Sequence, residues 1–201
     1  ETGLLAGLAD AGVDLGHAAR IVGTSAGSLV GAHLARGDSL AALLGEPERN
    51  VVAPPEDTAV PEVDPAAMGV LGTAIFEALT GARPHDEIVR DIGALALGAQ
   101  TISEEAFVAM PGAGLGTEWP GHDFACTAYD AETGEFAVWD GAAGAPLVCA
   151  VSSSCAVPGL FPPITIAGRR YLDGGVISGT NCALASGHYR VVVVSVMSNA
   201  V

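Results

Sequence analysis

Two short stretches of the chain carry residue types suited to acyl chemistry. Gly-Thr-Ser-Ala-Gly, residues 23–27, places Ser25 between two glycines. Leu-Asp-Gly-Gly, residues 172–175, sets Asp173 before two more glycines, 148 residues further on. A serine hydroxyl attacks a carbonyl only when a base takes its proton. A five-residue GxSxG pattern alone is weak: about 0.2 occurrences are expected by chance in a chain this rich in glycine. Its setting is more specific. The apolar pair Ile21-Val22 precedes it and a run of small residues follows, which suits a strand, a sharp turn and a helix. Such a turn exposes the serine oxygen and needs small neighbours, here Gly23 and Gly27. The helix start points unpaired N–H groups and a positive dipole at the place where an oxyanion forms, with the Ala26 N–H as a candidate donor. The competing reading is a plain helix-capping serine. Asp173, with Gly174 and Gly175, reads either as a tight turn or as a carboxylate at a strand end that another element approaches closely.

The candidate bases are the histidines His17, His33, His85, His122 and His188 and the carboxylates. His33 sits two turns into the helix after Ser25, too far to reach back. His188 follows Asp173 in the order Ser, Asp, His of the α/β-hydrolases, though a surface turn is its simpler reading. The cysteines Cys126, Cys149, Cys155 and Cys182 have no CxxC or other metal spacing and read as buried free thiols. No metal ligand cluster and no cofactor motif is visible.

Charge narrows the partners. The 201-residue chain has no lysine, eight arginines and 23 acidic residues, for a net charge of -15. Nucleic-acid binding needs basic clusters, and only the pair Arg169-Arg170 stands together. The same balance opposes electrostatic attachment to anionic membranes and leaves transient apolar contact with a membrane surface open. No apolar run reaches the ~18 residues of a membrane span, and no signal peptide is visible, so a cytoplasmic location is expected. Abundant alanine and glycine without lysine suggest a high-GC bacterial gene.

These residues need elements to hold them. Half the residues are hydrophobic and only 5% aromatic, a composition of closely packed helices and sheet in one α/β domain, 1–201. The spacing predicts a first helix from Glu1 or earlier to Val13. It predicts a strand at 21–22 and a helix over Ala26–Ala35 closed by Gly37. Residues 45–64, with four prolines, read as a loop. Asp64-Pro65 reads as the start of a helix with Met68, Leu71, Ile75 and Leu79 on one face. A helix over Asp86–Leu97 follows, then one opening on a capping box of Thr101 and Glu104. Residues 111–121 read as loop. Two hairpins (DFACTAYD with EFAVWD, and ITIAGRRYLD) flank a helix over Pro146–Cys155. The run YRVVVVSVM, residues 189–197, reads as a final strand buried on both faces of a parallel sheet.

Taken together, GTSAG, DGG, the block SSSCAVPGLFPPITIAGRRYLDGGVISGTN and the opening ETGLLAGLADAGVDL resemble the patatin-like phospholipase family. The resemblance covers nearly the whole chain and is weakest from about Leu44 to Pro120. It implies a three-layer α/β/α fold with a mostly parallel central sheet and a nucleophile elbow. It implies a Ser–Asp dyad of Ser25 and Asp173 without histidine, and no metal or other cofactor. The activity implied is serine hydrolysis of acyl esters of lipids, phospholipase A or esterase in type, through an acyl-enzyme. The substrate acyl chain would lie on the Met68–Leu79 stripe. The family also carries a glycine-rich, GGGxxG-like oxyanion loop before its first helix. The expectation is that this loop, and residues after Val201, lie outside the present sequence. Two other readings stand beside this one: an α/β-hydrolase esterase with a Ser25–Asp173–His188 triad, and a non-catalytic lipid-binding or interaction domain on the same fold.

Overall fold

The computed structural model describes residues 1–45 and 65–196. Its centre is a five-stranded mixed sheet. β1 is Ile21–Gly23, β2 Phe124–Asp130, β3 Phe136–Trp139, β4 Ile164–Ile166 and β5 Arg169–Asp173. The ladder β1–β2 is parallel, whereas β2–β3, β2–β5 and β4–β5 are antiparallel.

The register contains the logic of the molecule. β3 pairs with Cys126 to Tyr129 of β2. β1 pairs with Phe124 to Cys126, and β5 with Ala128 to Asp130. Because β3 overlaps both at Cys126, Ala128 and Tyr129, it occupies the opposite edge of β2. β1 and β5 therefore share one edge. They run towards each other along it, and their C-terminal ends meet at Thr127, which lies between the two ladders. The first turn of chain after β1 carries Ser25, and β5 ends on Asp173.

Helices cover both faces of this sheet. They are α1 (Thr2–Asp10), α2 (Ala26–Arg36), α3 (Leu40–Gly45), α4 (Pro65–Thr80), α5 (His85–Gly98), α6 (Glu104–Leu115) and α7 (Leu147–Ser154). Alternate residues of a strand face opposite sides. Phe124, Cys126 and Ala128 of β2 and Tyr171 of β5 pack with α6 and α7 in one core. Tyr129, Ala131 and Leu172 point the other way, into a core with α4 and α5. The result is α/β, helix layers on either side of a sheet. Packing on the second face is close: a methyl on Gly93 of α5 would lie 1.8 Å from the Ala131 carbonyl oxygen. Between β4 and β5, Ala167 and Gly168 both take positive φ, 51° and 79°, as a two-residue hairpin turn with the twist of its strands requires.

Several expectations are corrected. The helix expected to open on Thr101 and Glu104, α6, is capped by Ser103, whose hydroxyl accepts the Ala106 N–H; Thr101 donates to the Ile102 carbonyl instead. Glu104 is turned away to bind the N–H and hydroxyl of Thr165. The same helix runs through Pro111 to Leu115, where a loop was expected, because Arg36 donates to the carbonyls of Gly114 and Leu115 and holds its last turn. Residues 189–196 form no strand. Val191 to Val194 and Ile21 to Gly23 of β1 are among the residues lining one cavity of about 630 Å³, and no ladder joins them. Cys126 is buried as expected, but Cys182 is exposed. Leu71 is buried on α4 with Ala74 and Ala78 against α5, so that face serves the core. The 46–64 part of the expected loop, Asp64, and the side chains of Met68, Ile75 and Leu79 lie outside the described residues.

Candidate active site

Ser25 follows β1 after one residue, Thr24, and precedes the first residue of α2. Its backbone has φ 54° and ψ -131°, a conformation that costs a non-glycine residue about 1–3 kcal/mol and persists only where its surroundings hold it. The holding groups are two fully buried serines. Ser154, the last residue of α7, accepts the Ser25 N–H on its Oγ at 3.1 Å. Ser28 donates its hydroxyl to the Ser25 carbonyl at 2.6 Å. Peptide groups on both sides of the Ser25 Cα are thereby fixed, and the side chain is aimed by its backbone.

The corner has room for only one chain. A Cβ on Gly23 would stand 2.5 Å from the Ser28 Cα and 2.6 Å from the Gly27 carbonyl oxygen, whereas one on Gly27 would meet nothing nearer than the Glu1 carboxylate at 3.4 Å. The two motif glycines therefore differ. Gly23→Ala is expected to destabilise by at least about 1–3 kcal/mol through overpacking against backbone. Gly27→Ala is expected to leave stability within about 1 kcal/mol, since alanine is the better helix former. Thermal unfolding of the two variants beside wild type checks the contrast.

Asp173 is 4% exposed. Its Oδ2 accepts the Ser25 hydroxyl at 2.7 Å, and its Oδ1 accepts the Gly175 N–H at 2.7 Å. Burial pushes its pKa up to about 6, against the lowering effect of those two donors. A carboxylate poised there is ionised at neutral pH yet basic enough to take a proton. Among the described residues no histidine bonds to Ser25 or Asp173. His33 binds Asp38 at 2.8 Å, His17 lies beside Asp14, His122 contacts the Ala18 carbonyl, and His85 and His188 are exposed.

The N–H groups at the elbow sort themselves. Those of Ser25, Gly27 and Ser28 are taken, by Ser154 Oγ, the Thr24 carbonyl and the Ser25 carbonyl. That of Ala26, an exposed residue at the head of α2, finds no hydrogen-bond acceptor among the described residues. It is available to an anion beside the Ser25 Oγ, where the helix dipole favours negative charge. Cys155 lies close by, its Sγ 3.6 Å from the Ser28 Oγ. Burial, reinforced by the charge of Asp173, pushes its thiol up to about 12, so it stays protonated and does not compete as a nucleophile.

Ser25, Asp173, Ala26 and the glycines are the site residues expected from the sequence, and the structure brings them together. Ser28 and Ser154 are not among those expected, nor is a buried polar group of Thr24, Thr127 and Asn181 beside them. Serines at the end of an apolar helix, in SSSC, were the one available signal. Among the described residues no group of His, Cys, Asp and Glu could hold a metal ion, and no helix is long and apolar enough to cross a membrane.

The family model for patatin-like phospholipase matches residues 1–186 of the chain. No curated protein matches it.

Proposed function

The chain belongs to the patatin-like phospholipase family, a family of lipid acyl hydrolases, and from that premise we propose that this protein hydrolyses acyl esters of lipids through a Ser25–Asp173 dyad. The observation that carries the reading is the 2.7 Å hydrogen bond from the Ser25 hydroxyl to the Asp173 carboxylate, made by a serine in a strained backbone and a carboxylate raised to about 6.

The steps follow from that geometry. As the Ser25 Oγ bonds to the ester carbonyl carbon, its proton passes to Asp173 Oδ2. The carbonyl oxygen becomes an oxyanion near the Ala26 N–H and the positive end of α2. Collapse breaks the ester C–O bond, and the proton on Asp173 goes to the departing alkoxide. The acyl group is left on Ser25. A water then gives its proton to Asp173 and attacks the acyl carbon. The second collapse releases the fatty acid and returns the proton to Ser25. Asp173 alternates between base and acid, which its pKa near 6 allows at neutral pH.

The dyad and the triad readings part at His188. That residue is exposed, and its backbone N–H is engaged with Ala185. His188→Ala is expected to keep kcat/KM for a phosphatidylcholine vesicle or a p-nitrophenyl acyl ester within about threefold of wild type, whereas loss of a general base costs 10²-fold or more. A loss of that size would make the enzyme a triad hydrolase.

A further inference from the structure

Thr127 stands at the one position where β2 is paired with neither β1 nor β5, between the two strand ends that present the dyad. Its hydroxyl meets that of Thr24, the residue before the nucleophile, at 3.0 Å. The Asn181 amide closes on both. Its Nδ2 lies 3.0 Å from Thr24 Oγ1, 3.2 Å from Thr127 Oγ1, 3.0 Å from the carbonyl of Gly174, the residue after the base, and 2.8 Å from the Ser178 carbonyl. Two of these four partners are backbone carbonyls, which only accept, so the amide must present its NH2 here and not its oxygen. All three side chains are buried, Thr127 completely. Asn181 itself takes a left-handed conformation, φ 44° and ψ 32°, that asparagine tolerates and most residues do not.

The space around this group is closed. A Cβ on Gly174 would lie 2.2 Å from Thr127 Oγ1, and one on Gly175 would lie 3.5 Å from Thr24 Cγ2. The glycines after Asp173 thus let the chain that follows the base settle on the same two threonines that the nucleophile's strand end touches. No covalent or ladder connection joins β1 to β5 at this point. A second bridge lies at the end of α7, where Ser154 Oγ accepts the Ser25 N–H at 3.1 Å and the Ala156 carbonyl accepts the Asp173 N–H at 3.0 Å.

We propose that Asn181, acting through Thr24, Thr127 and Gly174, is a positioning residue that sets the distance between the nucleophile and its base. The proposal rests on the dyad reading above. Asn181 touches no substrate; it joins the residue before Ser25 to the residue after Asp173 across the head-to-head junction. Its two donors are shared among four acceptors, so losing it leaves buried carbonyls and hydroxyls to rearrange or admit water. A shift of about 1 Å between reacting groups costs about 10²-fold in rate.

The test uses Asn181→Ala, and Thr127→Val and Thr127→Ser as gentler partners. Asn181→Ala and Thr127→Val are each expected to lower kcat about 10- to 100-fold with KM within about twofold, and the double variant to lose much less than the product of the two. Thr127→Ser, which keeps the hydroxyl, should restore kcat towards wild type. A merely structural role would lower the folded fraction and leave the kcat of the folded enzyme unchanged; that result, or an additive double variant, overturns the proposal. A second readout does not depend on turnover: the 13C titration of the Asp173 carboxyl. Its midpoint, near 6 in wild type, should fall in folded Thr127→Val and Asn181→Ala as water reaches the site. An unchanged midpoint in both overturns the proposal. Wild-type protein without Ser25-dependent turnover would instead overturn the dyad reading, and the titration would still decide the role of Asn181.

Discussion

Replacing Ser25 by alanine should reduce ester hydrolysis to background, a loss in kcat of about 10⁶-fold, the scale seen when a serine hydrolase loses its nucleophile. The magnitude is large because no neighbouring group can substitute. Cys155 is held protonated by burial. Ser28 and Ser154 are fully buried and spend their hydroxyls on the Ser25 backbone. Folding should survive, since both backbone contacts of residue 25 remain. The variant keeps the strained φ of 54°; Ser25→Gly, which adopts that conformation freely, should be more stable than Ser25→Ala by about 1–2 kcal/mol. Hydrolysis assays and thermal unfolding of the two variants measure the pair of effects.

Asp173→Asn should cost about 10⁴-fold or more in kcat and at the same time stabilise the protein. The activity follows from removing the proton acceptor 2.7 Å from the Ser25 Oγ. The stability follows from linkage. Asp173 has a folded pKa of about 6, raised from 3.8 chiefly by burial. Between those values the folded chain retains a proton that the unfolded chain has released, so stability from this group is present at low pH and is lost as pH rises through about 4 to 6. At neutral pH the ionised, buried carboxylate costs on the order of 3 kcal/mol. Asparagine removes that penalty, and Tm at pH 7 should rise by several degrees, with the gain shrinking as pH is lowered below 5. Wild-type kcat/KM should show the same group from the other side, falling about tenfold per pH unit below about 6 as the base is protonated. An Asp173→Asn variant less stable than wild type at pH 7 would mean that the carboxylate contributes more through its hydrogen bonds than it loses by desolvation.

Much of this was legible in the sequence, for local reasons. The elbow is local: an apolar pair, a serine between glycines and a run of small residues determine a strand, a turn and a helix. The hairpins announced themselves through alternation and through Ala-Gly and Glu-Thr-Gly turns. What was not legible depends on chain partners far away in sequence. That Ser25 and Asp173 touch is decided by the register of β2, which seats β1 and β5 on one edge with their ends facing. Thr127 reads as an ordinary strand residue until that register is known. Ser154 reads as the end of an apolar helix, and Asn181 as a turn, until the groups they bind come into place. The run at 189–196 shows the converse: Val-Val-Val-Val is a fit sequence for a buried strand, but a strand exists only with a neighbour, and among the described residues none pairs with it. Pro111 misled in a similar way, since the carbonyls of its helix end are held by Arg36 from another element.

The most direct test of the central claim is to treat the protein with a fluorophosphonate at a series of pH values, and to read the adduct by intact mass and peptide mapping. The dyad predicts one adduct, on Ser25, forming at a rate that climbs with a midpoint near pH 6, and a rate reduced by orders of magnitude in Asp173→Asn. An adduct on another residue, or an Asp173→Asn variant labelled on Ser25 as fast as wild type, would contradict it.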